Sequence, residues 1–191
     1  MFESVIRMED NNMLAVSQSE FMGSDGNMYK RDSRRSSMVD ANGRFCSKPT
    51  TGAPEILIGL CCDENYERVS VNVEKASSVG NCDQPPDTFV KVVVLDENNV
   101  ELTKQKSETT KGAVEPHFNF HCVNKLGKDK LENRTLRIEI WSVTGLLKRK
   151  HLIGTVATGL MSSSPDAEEH WQHMIQSAGI SVSKWHTIES V

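Results

Sequence analysis

The side chains of this 191-residue sequence that could do chemistry are cysteines, histidines and clustered charges, and their spacing decides what each can do. Cysteines stand at 46, 61, 62, 82 and 122. The number is odd and no pair is spaced C-x-x-C. Reduced thiols fit this better than a disulfide scaffold or a zinc ribbon. Cys61-Cys62 reads as one core and one surface thiol on a strand, not as a nucleophile. Among the six histidines, His117-x-x-x-His121 falls on a predicted strand with no accompanying carboxylate motif. His170 and His173 fall on a predicted helix, where Glu168 and Glu169 do not complete a zincin motif. No G-x-S-x-G and no glycine-rich phosphate loop occurs. The expectation is a protein that is not an enzyme and carries neither cofactor nor metal.

Charge clusters suggest binding instead. Leu146-Leu147 runs directly into Lys148-Arg149-Lys150, an apolar tip beside cations that suits an anionic lipid surface. Lys104 and Lys106 alternate on one predicted strand, so they share a face, and Lys111 follows nearby. Trp141 falls at a strand–loop boundary and could stand as an exposed anchor. Arg34-Arg35-Ser36-Ser37 places two arginines at −3 and −2 from Ser37, the pattern basophilic kinases read, so Ser37 is a phosphorylation candidate. The 22 basic and 26 acidic residues leave a net charge of −4. That balance argues against nucleic acid as a partner. It also means that lipid contact must come from local patches. The bland alternative is that these lysines simply solubilise a sheet face.

The elements that position these groups begin near Pro54. Residues 1–53 show no sustained apolar period and carry seven acids and seven bases, so the −4 belongs to 54–191. They read as a disordered or linker segment. From Pro54 onward, short apolar or alternating runs appear at Ile56–Cys61, Val69–Glu74, Phe89–Leu95, Val100–Ser107, Pro116–Cys122, Leu136–Val143, Leu152–Thr158 and Ser183–Glu189. About eight short strands separated by polar turns predict an all-β, antiparallel β-sandwich. One helix interrupts them before the last strand. Ser164 caps it, Pro165 opens it, Trp171, Met174 and Ile175 share a face, and Gly179 stops it. A brief helical turn is expected within Lys125–Glu132.

Several stretches in this order resemble the second C2 domain (C2B-type) of a synaptotagmin. They are Pro54-Glu55-Ile56-Leu57-Ile58-Gly59-Leu60, Asp87-Thr88-Phe89-Val90-Lys91-Val92, Glu115-Pro116-His117-Phe118-Asn119, Ile153-Gly154, His170-Trp171-x-x-Met174 and Trp185-His186-Thr187-Ile188. Pro86-Asp87-Thr88, Lys148-Arg149-Lys150 and Trp185-His186-Thr187 most resemble the calcium-independent synaptotagmin fourteen/sixteen branch. The resemblance covers roughly residues 54–191, a C2 domain, and one such domain is visible where family members usually have two. It implies an eight-stranded sandwich acting in vesicle trafficking or exocytosis, cytoplasmic and peripheral on a vesicle or the plasma membrane. It implies phospholipid and SNARE or other trafficking-protein partners. The family's calcium positions fall on Asp83, Asp87, Ser142 and Thr144, where two hydroxyls replace carboxylates, so calcium independence is expected. The strand holding Lys104 and Lys106 matches the family's polybasic site. Trp185 and His186 match a motif linked to membrane docking and partner binding. The alternative function is a protein-interaction or self-association module without a lipid role, forming homo-oligomers through sheet edges or the Trp185 end.

Overall fold

Valines alternating with polar residues make the first clear strand. Val69, Val71 and Val73 are fully buried, while Ser70 and Asn72 between them are not, as a half-buried strand requires. The computed structural model describes residues 37–39, 45–47, 53–80, 82–126 and 128–190. In chain order the strands are β1 (Ser37–Val39), β2 (Phe45–Ser47), β3 (Glu55–Cys62), β4 (Arg68–Ser77), β5 (Asp87–Leu95), β6 (Glu101–Lys106), β7 (His117–Lys125), β8 (Thr135–Thr144), β9 (Arg149–Gly159), β10 (Val182–Thr187) and β11 (Glu189–Ser190). A 3-10 turn spans Lys128–Asn133 and the helix α1 spans Pro165–Gln176.

Two antiparallel sheets form the sandwich. One has the order β10-β3-β4-β7 and the other β11-β9-β8-β5-β6. Among the described residues β1 and β2 pair only with each other, within the segment read as linker. The core lies between the sheets: Val69, Val71 and Val73 of β4 meet Val90, Val92 and Val94 of β5 and Leu136, Ile138 and Ile140 of β8. Each such side chain stabilises the fold by roughly 1.5–3 kcal/mol on burial. The same alternation turns Phe89 and Lys91 of β5, and Arg137, Glu139 and Trp141 of β8, to the opposite face of the second sheet. There the register sets Phe89 against Trp141 and Lys91 against Glu139, with Lys106 of β6 on Lys91's other side.

α1 begins where the sequence places it. The Ser164 hydroxyl accepts a hydrogen bond from the Ala167 N–H at 3.2 Å, Pro165 opens the helix, and Asp166 and Glu168 occupy its first turn. Ala167, His170, Trp171 and Met174 face inward. The helix ends at Gln176, and Gly179 follows in the left-handed region at φ +80°, its N–H donating to the Cys62 carbonyl at 2.8 Å. The final predicted strand, Ser183–Glu189, instead divides in two. β10 pairs with β3 in the first sheet, and after Ile188 the chain joins β9 in the second as β11. Gly154 makes this crossing possible, since a Cβ there would lie 2.4 Å from the Glu189 carbonyl oxygen.

Candidate anion cleft and loop tip

The outward face of the second sheet forms a cleft of about 390 Å³ lined by Phe89, Lys91, Lys104, Gln105, Lys106, Trp141 and Lys150. Its floor is aromatic: Phe89 and Trp141 stack with ring centroids 6.3 Å apart and planes 8° from parallel. The Lys150 ammonium stands over the Phe89 ring, 5.7 Å from its centroid. Trp141 was expected to stand as an exposed anchor. It is half-buried instead, because its ring finds Phe89 and its Nε1–H donates to Glu139 at 2.9 Å. Glu139 also accepts from Lys91 at 3.2 Å and from Arg137 at 3.0 Å. Glu101 pairs with Arg137 at 3.3 Å, with Lys104 at 3.8 Å and with Lys91 at 3.9 Å. Among the described residues, Lys106 and Lys150 have no acidic partner.

Loop geometry carries the second feature. β8 and β9 pair out to Thr144 and Arg149, leaving the turn Gly145-Leu146-Leu147-Lys148. Gly145 and Lys148 take positive φ of 69° and 47°, and the Lys148 N–H donates to the Gly145 carbonyl at 3.1 Å. That tight turn drives Leu146 and Leu147 into solvent, at 103% and 81% exposure. Lys148, Arg149 and Lys150 follow them, all exposed. Lys150 therefore belongs to both features, the loop tip and the cleft.

The sequence profile of the C2 domain matches residues 67–174, more than half of the chain. The chain belongs to the C2 domain family. The chain is 26% identical to Synaptotagmin-7 of Homo sapiens over 147 residues, covering 76% of this chain and 36% of that protein. It is likewise 26% identical to Synaptotagmin-8 of Mus musculus over 144 residues, covering 74% and 36%. The chain thus spans about a third of the length of these curated relatives. Among solved structures, a C2 domain of RIM from Drosophila superimposes with a TM-score of 0.53 at 18% identity, covering 72% of this chain and 98% of that one. The first C2 domain of human synaptotagmin XIII gives 0.50 at 17%, covering 75% and 92%. Such structural likeness shows the fold alone. The family is one of interaction modules rather than catalysts.

The C2 domain places the remaining sequence candidates as follows. Asp87 opens β5, and its Oδ1 accepts from the Gly112 N–H at 2.9 Å, tying β5 to the segment between β6 and β7. Asp83 is exposed in the β4–β5 connection. Ser142 donates to the His151 carbonyl at 3.4 Å and Thr144 is exposed. Among the described residues no cluster of three or more His, Cys, Asp or Glu is placed to hold a metal ion. Lys111 is exposed beside Gly112 and does not line the cleft with Lys104 and Lys106. Trp185 is half-buried, with the Lys75 ammonium 5.8 Å from its ring centroid. His186 faces the other way and is buried, so it offers no partner surface. The side chain of Ser37 and its flanking arginines lie outside the described residues. No described helix is long and apolar enough to cross a membrane.

Sequence reasoning found Lys104, Lys106 and Lys150 but missed Phe89, Lys91, Glu101, Arg137 and Glu139. Lys91 carried a signal of its own, as a lone charge breaking the run Phe89–Leu95. Only the cross-strand register brings these residues together.

Proposed function

We propose that this C2 domain is a calcium-independent module that docks on anionic membrane surfaces during vesicle trafficking. The observation that carries the reading is Lys150. It joins an apolar, cation-flanked loop tip to a basic cleft with an aromatic floor, so one anionic surface can engage both. Leu146 and Leu147 would enter the headgroup region while Lys106, Lys148, Arg149 and Lys150 contact phosphates. Each base near such a surface is worth about 1 kcal/mol. The net charge of −4 opposes broader attraction, which makes docking weak and reversible. The C2B-type assignment and the fourteen/sixteen branch rest on the motifs quoted above, as do SNARE partners and a peripheral, cytoplasmic location. Residues 54–191 are taken as the domain and 1–53 as its linker.

Calcium independence is supported by the donor set. Asp87 already uses one carboxylate oxygen on the Gly112 N–H, and the end of β8, the turn after it and the start of β9 supply the hydroxyls of Ser142 and Thr144 and three bases in place of carboxylates. Calcium wants six to eight oxygens, mostly carboxylate. Calorimetry should give no binding at micromolar calcium. Co-sedimentation with anionic liposomes in chelator should recover the protein, and Lys148, Arg149 and Lys150 changed together to Ala should release it. Failure of the unmodified protein to sediment would overturn the reading.

One observation favours a second reading, a protein-interaction or self-association module. Among the described residues β6 is an edge strand whose backbone is paired on one side only, and its residues are mostly exposed. Sedimentation velocity showing a dimer, with no liposome binding, would select it.

A further inference from the structure

Two acids stand beside the cleft, both paired with its lining residue Lys91, and they are held very differently. Glu139 has a side chain 5% exposed and three donors around it. Glu101 is 41% exposed on an edge strand, and its contacts to Lys91, Lys104 and Arg137 are longer, at 3.9, 3.8 and 3.3 Å. Ion pairs this exposed are weak and exchange with solvent anions. We propose that Glu101 is a built-in competitor, its carboxylate neutralising Lys91, Lys104 and Arg137 so that a phosphate held by Lys106 and Lys150 must displace it to engage these cations as well.

The inference rests on the anion-docking reading above. Four cations line the cleft, Lys91, Lys104, Lys106 and Lys150, and Arg137 stands beside it on Glu101 and Glu139. Glu139 stays fixed among Lys91, Arg137 and Trp141. Glu101 is the acid that can swing away, since among the described residues its strand has no neighbour on the far side. A carboxylate brings one charge and two oxygens. A phosphomonoester brings about −1.5 to −2 and three strong acceptor oxygens, so it outcompetes Glu101, while a singly charged phosphodiester has little advantage. Glu101 thereby sets a threshold: phosphomonoester-bearing headgroups recruit Lys91, Lys104 and Arg137, while weaker anions meet only Lys106 and Lys150.

The test compares the unmodified protein with Glu101→Gln and with Glu168→Gln, which makes the same charge change on the exposed face of α1. The probes are phosphatidylcholine vesicles carrying an inositol lipid with ring phosphates, and a soluble inositol polyphosphate. Glu101→Gln should tighten binding about 3- to 10-fold, the range a few exposed ion pairs can supply. The factor should be the same for both probes, because the competitor is the same whichever anion arrives. Glu168→Gln should leave affinity within about 2-fold, since a distant exposed charge is screened. A gain confined to vesicles, or an equal gain with Glu168→Gln, would mean general surface charge and overturn the proposal. Unchanged binding by Glu101→Gln, where the unmodified protein binds, overturns it and leaves the docking reading standing. No binding by any of the three proteins to either probe overturns both.

Discussion

Glu139 sits at the balance of opposing effects. Burial alone would raise its carboxyl pKa, but hydrogen bonds from Trp141, Lys91 and Arg137, with the charge of Lys91, outweigh burial and hold it below the ordinary range. It is therefore an ionised, fixed counterion at neutral pH. Glu139→Ala would leave Lys91, Arg137 and the Trp141 N–H short of a partner and is expected to cost about 2–3 kcal/mol in urea unfolding. Lys91 and Arg137 keep Glu101 and some solvent, which holds the cost below that of a fully buried pair. Glu101→Ala should cost under about 1 kcal/mol, because its pairs are exposed. If both cost the same, the distinction between a structural and an exchangeable acid beside this cleft fails.

Among the elements, the strands were legible where alternation was strict and less so where the chain changes role. Val69 to Val73, and Leu136 to Ile140, show the period of two directly, and their burial follows it. The helix was legible from Ser164, Pro165 and the acids after them. β11 was not, because two residues cannot show a period and its position depends on Gly154 in a distant strand. The cleft was half legible. Lys104 and Lys106 could be placed on one face from their spacing, but Phe89, Trp141 and Glu139 meet through a register that no local pattern encodes. Trp141 was misread for the same reason, since a boundary tryptophan becomes half-buried only when Phe89 is set opposite. The crossing itself gives a prediction. Gly154→Ala puts a methyl group against the Glu189 carbonyl and against Ile188 Cγ2 at 2.5 Å, so β11 must detach. Overpacking of this kind costs about 1–3 kcal/mol. Hydrogen exchange should show faster exchange at the Glu189–Ser190 end with the core amides still protected. By contrast, Ser164→Ala should cost only about 1 kcal/mol, spread over α1.

At the scale of the whole molecule, a buried histidine pair fastens α1 to β10 and makes stability depend on pH. His170 Nε2 lies 2.9 Å from the Val182 carbonyl, which can only accept, so that nitrogen carries the proton. His170 Nδ1 is then an acceptor, and His186 Nε2–H donates to it across 2.8 Å. His186 Nδ1 is left buried without a donor, and the rings stack with centroids 5.0 Å apart. Both rings are therefore neutral in the fold. Burial comes first, and the positive charge of Lys184 and the repulsion a second proton would meet from a protonated histidine neighbour (His173 for His170, His170 for His186) add to it, outweighing the opposing pull of the Val182 carbonyl on His170 and of Asp166 on His186. It brings both from 6.5 to about 4. Between those values the unfolded chain binds more protons than the folded one. The pair's contribution is thus fully present above about pH 6.5 and is lost as pH falls toward 4. Each histidine accounts for at most about 1.4 kcal/mol per pH unit in that window, and the two titrate as a coupled pair. The carboxylates held low in the fold, Glu139, Asp166 and Glu169, release stability only further down, below their ordinary range. Urea midpoints measured from pH 7.5 to 5 therefore isolate the histidines, and they should fall steadily below about pH 6.5. His186→Gln keeps a donor for His170 but removes one titrating ring. It should be less stable at pH 7.5 and show a shallower decline toward pH 5. A midpoint flat from pH 7.5 to 5 would mean that the pair is not held neutral, and the proton assignment drawn from Val182 would fall with it.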